Sequence, residues 1–389
     1  MNRNIILAPF ILLSFCALLL AAFSPSVVPA PLVPPVLTDM EGSSVHVPLP
    51  AKRVLIFEQV LSVYLTLNEG PSHLLAVSQW TMDDMKRKIE GSVYPSLVKT
   101  PVVGVFMVPT ERDVEEVMRL QPDVILSWCY PNFVDPLKAI HMSGVVGITY
   151  TTEKGTDYAA IWRLMGAITG RSSRTESLLE RYAVKRQEVL SSLAARPSKQ
   201  ANMALLSAYA GEISIFTYWP FWLNDTLKAV GARNDTLGMK WGGENSQSDP
   251  EELMLLDPDG AFVLCDISED DCLKNIYSDL RYGAIRAVRN HKLYRVPVYS
   301  FTNYFVEEPL LLRWCAEVLD PDVMPRRLRE EYKETYQEVY HYSPSDDEID
   351  KAIYMKENLQ SAGYERFMRQ ADSLQDARGI HRGIKNIVQ

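Results

Sequence analysis

The stretch EEVMRLQPDVILSW (residues 115–128) has a near copy, EELMLLDPDGAFVL (residues 251–264), in the second half of the chain. The copies share Glu-Glu, Met, Leu and Pro-Asp at the same offsets, and most other positions exchange one apolar residue for another. Each copy predicts an amphipathic helix, a Pro-Asp turn that ends it, and a buried strand. The repeat fits either two instances of a common helix–turn–strand unit or two related lobes that face each other across a cleft.

Short apolar runs alternate with helical patterns on both sides of the repeat. Buried strands are predicted at residues 54–57, 74–77, 102–105, 124–126 and 145–148, and in the second half at 203–207, 261–264 and 293–296. Apolar strands that alternate with amphipathic helices are typical of parallel sheets covered on both faces. Between Asp157 and Arg196 the apolar residues keep helical spacing, with Gly170 as a candidate interruption. The sequence therefore predicts two α/β halves separated by a helical segment.

These patterns divide the chain into six predicted segments. In chain order they are a signal peptide or anchor (1–30), a linker (31–50), an N-terminal α/β lobe (51–155), an interdomain helix (156–197), a C-terminal α/β lobe (198–320) and a C-terminal helical extension (321–389). The linker is rich in Pro, Ser and Val and shows no periodicity. The extension is helical and charged, and we expect solvent-facing helices packed on the outside of the lobe.

The N-terminus predicts export. An apolar run from Ile5 to Phe23 follows Arg3, which is the order found in a secretory signal peptide. The run is nearly long enough to span a bilayer, so an uncleaved membrane anchor is the alternative. Either way we expect a periplasmic or extracytoplasmic location, where disulfides are permitted. Cys265 and Cys272 are close enough in sequence to pair, and a small buried thiol is the alternative for each.

Composition and motifs exclude several classes of function. The 389 residues are 47% apolar and 23% charged, which suits a folded protein of two lobes. A net charge of −9 argues against nucleic acid as a partner. The chain has no GxSxG, HExxH, phosphate-loop or GxGxxG motif, so we expect no enzymatic activity. Its six histidines are too scattered to predict a zinc or manganese site.

An ordered set of segments resembles the periplasmic substrate-binding proteins of ABC importers that carry ferric siderophores, haem or cobalamin. The segments are Ala51–Leu55, Thr100–Gly104, DVEEVMRLQPDVILS (113–127), WLNDTLKAVGARN (222–234), DPEELMLLDPDGAFV (249–263) and AIRAVRNHKLYRVP (284–297). Together they extend from about residue 50 to 320, and they are specific to the family rather than to one ligand. The resemblance implies two α/β lobes with mainly parallel sheets, joined by a single long interdomain helix.

The resemblance also implies a role for the glutamates of the repeat. In this family an acidic residue near the start of a helix in each lobe docks onto basic residues of the inner-membrane permease. Matching the copies through their shared Pro-Asp places these residues at Glu115 and Glu251. Two separated carboxylates would fix the orientation of the complex as well as its affinity. The alternative is that both glutamates only complement a helix dipole.

Aromatic residues dominate the predicted strand ends, where ligands bind in open α/β lobes. The candidate ligand residues are Glu58, Gln59, Trp80, Trp128, Tyr130, Tyr209, Tyr218, Trp219, Trp222, Trp241, Tyr299 and Tyr304. Few basic residues accompany them, which favours a ligand of low net charge, or a corrin- or haem-like one held largely by aromatic residues. With the cargoes that the resemblance implies, the expected bound ligand is a ferric complex, haem or a corrinoid, with no covalent cofactor. The alternative for residues such as Trp219 and Trp222 is packing beneath the second lobe. A membrane-anchored metal-complex sensor or chaperone of the same fold is the alternative function.

Overall fold

The computed structural model of the chain describes residues 35–40, 42–57, 60–103, 111–128, 144–148, 158–194, 201–209, 212–215, 221–233, 250–265, 271–297 and 307–369. Val36–Gln389 forms one compact unit, and Met1–Pro35 is a separate unit. The predicted signal peptide or anchor, residues 1–30, lies outside the described residues. The helices and strands given below all belong to the Val36–Gln389 unit.

A β-hairpin lies within residues 31–50, where the composition predicts a linker. Its antiparallel strands are β1 (Val36–Thr38) and β2 (Ser44–His46). Val45 and Val47 are buried in the main hydrophobic core, so the hairpin is part of the packed structure. The sequence does not reveal it because its strands, VLT and SVH, mix polar and apolar residues and contain no continuous apolar run.

The first lobe is built on a five-stranded parallel sheet. Its elements are β3 (Val54–Ile56), α1 (Leu61–Asn68), β4 (Leu74–Ser78), α2 (Gln79–Arg87), α3 (Ile89–Val93), a 3₁₀ turn (Pro95–Lys99), β5 (Val102–Val103), α4 (Glu111–Leu120), β6 (Val124–Trp128) and β7 (Val145–Ile148). The strand order is β5-β4-β3-β6-β7, and every pair is parallel. The central strand β3 is buried along its whole length, as expected for a parallel sheet covered on both faces.

Two helices form the connection for which the sequence predicts one long helix. The helices α5 (Tyr158–Thr169) and α6 (Ser172–Leu193) meet at Gly170, which has a left-handed φ of 69°. The two helices approach so closely that a Cβ atom at Gly166 would collide with the Thr175 hydroxyl. Within the described residues 158–194, the connection is therefore two helices separated at the predicted interruption.

The second lobe is built on a four-stranded mixed sheet. Its elements are β8 (Met203–Tyr209), β9 (Glu212–Ile215), α7 (Phe221–Ala229), α8 (Pro250–Leu256), β10 (Gly260–Cys265), α9 (Cys272–Ser278), a 3₁₀ turn (Leu280–Tyr282), α10 (Arg286–Arg289) and β11 (Leu293–Arg295). The order is β11-β10-β8-β9, in which the β8–β9 pair is antiparallel and the other pairs are parallel. The sequence patterns did not predict β9, which has only four residues and follows β8 almost directly.

The C-terminal extension packs into the main core. It and the helix before it comprise α11 (Glu308–Leu319), α12 (Leu328–Tyr340), α13 (Asp346–Ala352), α14 (Met355–Asn358) and a 3₁₀ turn (Tyr364–Phe367). Tyr332, Tyr336 and Phe367 are buried in the same cluster as Ile56 of β3 and Phe262 of β10. The expectation of helices that lie on the outside of the lobe is therefore wrong. The buried face arises because the tyrosines of α12 recur at every fourth position.

Polar contacts also tie the extension to the rest of the fold. Arg174 of α6 donates to the Val339 carbonyl of α12 at 2.9 Å and to the Thr66 carbonyl of α1 at 3.2 Å. Arg313 of α11 and Glu331 of α12 form a buried ion pair at 2.6 Å. A buried pair of this kind is destabilising to break, because either partner alone would be an uncompensated charge.

The start of α13 provides a further link to the first lobe. Burial opposes the ionisation of Glu348, but hydrogen bonds from the Ser345 backbone and from the Tyr342 and Ser92 hydroxyls lower its pKa to about 2. Ser345 and Glu348 form a reciprocal capping box at this helix start. Because Ser92 belongs to α3, the capping carboxylate joins the extension to the first lobe.

Candidate functional site

The strand order of the first lobe creates a topological switch point beside β3. The chain places β4 and β5 on one side of β3 and then β6 and β7 on the other, so the switch point lies between β3 and β6. In open α/β sheets, ligands bind outside the carboxyl ends of the strands at such a point. Trp128 is the last residue of β6, and β3 leads at its carboxyl end toward the candidate residues Glu58 and Gln59.

Trp80 lies at the same edge of this sheet. It is the second residue of α2, which begins directly after the last residue of β4. The buried Ser78 side chain caps this helix by accepting a hydrogen bond from the Thr81 N–H at 3.2 Å. The cap makes the strand-to-helix turn tight, and it keeps the backbone of Trp80 at the carboxyl end of the sheet.

The second lobe has an equivalent switch point between β8 and β10. Tyr209 ends β8 and Cys265 ends β10, where it pairs with Ala208 of β8. Cys265 forms a disulfide with Cys272, the first residue of α9, with a Cα–Cα distance of 6.1 Å. Of the two alternatives for these cysteines, the disulfide is the one present. It links the carboxyl end of β10 to the first residue of α9.

The structure places only part of the predicted ligand set. Trp80, Trp128, Tyr209 and Trp222 belong to described elements, the last as the second residue of α7. The remaining candidates lie outside the described residues: Glu58, Gln59, Tyr130, Tyr218, Trp219, Trp241, Tyr299 and Tyr304. Ligand contact stays a prediction for all twelve residues.

The Pro-Asp turns of the repeat perform the same structural task in both lobes. The Asp123 Oδ2 atom accepts hydrogen bonds from the Lys52 and Arg53 N–H groups at 2.8 and 3.0 Å. The Asp259 Oδ2 atom accepts one from the Asn202 N–H at 3.0 Å. Each aspartate thus holds the chain at the entry to the central strand, β3 or β8. The sequence reading missed this role, although an aspartate at the same offset in both copies was its signal.

The glutamates that precede these turns are exposed in both lobes. Glu115 lies in α4 and Glu251 in α8, and Val117 and Leu253, two residues further on, are buried. The two copies therefore bury and expose equivalent positions. A helix dipole acts mainly within the first turn, which includes Glu251 but ends before Glu115, the fifth residue of α4. Interaction with a helix dipole therefore explains the position of Glu251 but does not explain that of Glu115.

The described ranges contain neither a candidate membrane span nor a candidate metal-ligand cluster. None of their helices combines the length and apolar character needed to cross a membrane. In the same part of the chain, no three His, Cys, Asp or Glu side chains come together as a possible metal-ligand group.

Solved structures of solute-binding proteins share this fold. A periplasmic solute binding protein from Veillonella parvula DSM 2008 gives a TM-score of 0.68 at 22% identity, covering 84% of this chain and 98% of that chain. The molybdate-bound MolA of Haemophilus influenzae gives 0.66 at 16% identity, covering 80% and 99%. FeuA of Bacillus subtilis, complexed with ferri-bacillibactin, gives 0.57 at 18% identity, covering 75% and 100%. The likeness confirms the predicted fold class of two α/β lobes with mainly parallel sheets.

The sequence itself matches one family. No curated protein gives a significant match. The sequence profile of the family described as "Periplasmic binding protein" matches residues 105–299, half of the chain. The matched range includes both copies of the repeat and the carboxyl-end residues Trp128 and Tyr209. The chain therefore belongs to the periplasmic binding protein family.

Proposed function

We propose that this chain is the substrate-binding component of an ABC importer and captures a ferric siderophore, haem or a corrinoid. Its family consists of solute-binding proteins that work with ABC permeases, which confirms the prediction that the chain is not an enzyme. The observation that carries the ligand proposal is an aromatic residue at each switch point, Trp128 in the first lobe and Tyr209 in the second. Such residues suit a bulky organic ligand, because they combine a large apolar area with a polar tip.

The composition of the candidate ligand set favours a bulky organic complex over a small oxyanion. The fold carries both kinds of cargo, since MolA was solved with molybdate and FeuA with ferri-bacillibactin. A compact anion is usually held by several donors, often from Arg or Lys. Ten of the twelve candidate residues are aromatic and none is Arg or Lys. This balance supports a ligand held largely through apolar contact.

Exposed apolar side chains near the two glutamates support a protein partner on this face. Met118 and Met254 follow their glutamates by three residues in each copy, and both are exposed. Leu255 is 85% exposed, and Leu280, in the 3₁₀ turn that contacts α8, is 96% exposed. Contiguous exposed apolar patches commonly mark surfaces that bind another protein, and the contact between α8 and the 3₁₀ turn supports such a patch in the second lobe. We expect the permease to cover them while its basic residues pair with Glu115 and Glu251.

A titration with four cargoes tests the ligand proposal. Ligand-free protein is titrated with a ferric tris-catecholate siderophore, haemin, cyanocobalamin and molybdate, and tryptophan fluorescence is recorded. We expect saturable binding of one of the first three with a Kd of about 1 μM or below, in the range of specific complexes. Trp128→Ala should weaken that binding about tenfold through lost aromatic contact. Trp162 occupies a buried helix position, so the control variant Trp162→Phe should bind the ligand with normal affinity. Binding of molybdate alone would refute the proposal.

A further inference from the structure

A cavity of about 520 Å³ lies beside the connecting helix α6. Its described walls are Tyr158 of α5, Tyr182, Arg186 and Leu190 of α6, Asp225, Lys228 and Ala229 of α7, and Glu308 of α11. The helix α11 packs against both α6 and α7, so the walls belong to well-anchored elements. The volume falls within the range of small-molecule sites.

The cavity contains a buried carboxyl group whose hydrogen bonding is incomplete. Glu308 is only 7% exposed. Its Oε1 atom accepts a long hydrogen bond of 3.4 Å from Arg186 Nε, and the Tyr182 hydroxyl also interacts with the carboxyl group. Its Oε2 atom is buried and accepts no hydrogen bond from any described residue. Buried acceptors normally have a donor, so this atom is a natural contact for a bound molecule.

Charged groups of both signs surround Glu308. Burial raises the pKa of its carboxyl group, and the charge of Asp225 on α7 raises it further. Arg186 on α6 and Lys228 on α7 supply two positive charges in the same cavity. The two bases and two acids balance in formal charge, so the cavity offers no net attraction to a simple cation or to a simple anion. A molecule that carries one charge of each sign matches both pairs.

We propose that this cavity binds a compact zwitterion, a small molecule that carries both an ammonium and an acidic group. The ammonium group, with three donors, supplies the hydrogen bond that Glu308 Oε2 lacks. The acidic group pairs with Lys228 and Arg186, the latter able to form a two-pronged contact. The site does not depend on the cargo proposal, because its described walls include none of the candidate ligand residues.

Calorimetric titration with ω-amino acids tests the proposed ligand class. Glycine, β-alanine, 4-aminobutyrate and 6-aminohexanoate carry the same two charges at increasing separation. The matched amine and the matched carboxylic acid of each length carry only one charge. We expect at least one amino acid to bind at least tenfold more tightly than its two singly charged analogues. The proposal is overturned if no amino acid binds, or if none binds better than its analogues; water alone would then satisfy Glu308.

Two variants test the two ends of the site. Glu308→Gln and Lys228→Met should each weaken binding of the best amino acid at least tenfold. Lys228 is exposed, so its replacement tests the site even if Glu308→Gln fails to fold. Lys274→Met removes an exposed lysine from α9 as a matched control and should leave binding unchanged. Wild-type affinity in Lys228→Met, or an equal loss in Lys274→Met, would contradict the assignment.

Discussion

Replacing both Glu115 and Glu251 with lysine should reduce cargo uptake at least about a hundredfold, with the cargo affinity of the isolated protein unchanged. Each replacement removes an attraction to the permease and adds a like-charge contact, which costs several kcal/mol at an interface. A loss of about 2.7 kcal/mol already corresponds to a hundredfold. Uptake of isotopically labelled cargo is measured in host cells that lack the chromosomal copy and carry the variant instead.

Single reversals and a matched surface glutamate make this experiment specific. Glu115→Lys and Glu251→Lys alone should give intermediate rates, because each leaves one docking point. Glu330 is an exposed glutamate on α12, and Glu330→Lys should transport at the wild-type rate. A double reversal that is exported normally and still supports full uptake would contradict docking through these residues. That result would favour the sensor or chaperone alternative, which hands no cargo to a permease.

Trp314→Ala should lower the free energy of unfolding by about 3–5 kcal/mol, the range for a fully buried aromatic residue. Trp314 has no exposed surface, and its ring centroid lies 5.1 Å from that of Phe262 in β10. Its Nε1 atom donates to the Tyr364 hydroxyl oxygen at 2.9 Å, and that hydroxyl donates to the Ile353 carbonyl at 2.6 Å. The substitution therefore leaves a cavity and disrupts a buried hydrogen-bond chain that reaches into the extension.

Two further variants separate packing from hydrogen bonding in this prediction. Tyr364→Phe keeps the ring and removes the hydroxyl, so it should cost about 1–3 kcal/mol for the unsatisfied partners. Leu359→Ala changes a half-exposed residue of the extension and should cost less than about 0.5 kcal/mol. Denaturant unfolding followed by fluorescence gives all three values. A loss below about 1 kcal/mol for Trp314→Ala would show that the extension contributes little to the core.

The parallel strands and the helices between them were predictable because each buried strand is a continuous apolar run. Residues 124–126 and 261–264 were both predicted as strands, and both lie inside the observed β6 and β10. The strands β1, β2 and β9 were missed because each mixes polar and apolar residues over three or four positions, whereas the equally short β3 is a continuous apolar run. Local sequence also says little about which distant segments will pair.

The prediction that the extension faces solvent was wrong because α12 is rich in charged residues, although one face of this helix is buried. Leu328, Tyr332, Tyr336 and Tyr340 occupy every fourth position of α12, and all four are buried. Lysine and glutamate between them suggested a solvent-facing helix. The four-residue period of the tyrosines, rather than the overall charge of α12, predicts that one side of this helix faces the core.

The candidate site was likewise predictable from the sequence only in part. Strand ends follow from strand positions, so Trp128 and Tyr209 were assigned to the carboxyl edges of their sheets correctly. The copied Glu and Asp of the repeat were visible in sequence, but only the structure separates their tasks: Asp123 and Asp259 clamp the central strands, and Glu115 and Glu251 point outward. Cargo identity depends on loop side chains, whose positions no periodic pattern specifies.

The absorption spectrum and metal content of protein purified from its native host test the central claim most directly. We expect a bound organic metal complex in about one equivalent, as for a single specific site. Ferric charge-transfer bands with iron would identify a siderophore, a Soret band would identify haem, and corrin bands with cobalt would identify a corrinoid. Molybdate or a simple hydrated metal ion as the sole bound species would contradict it.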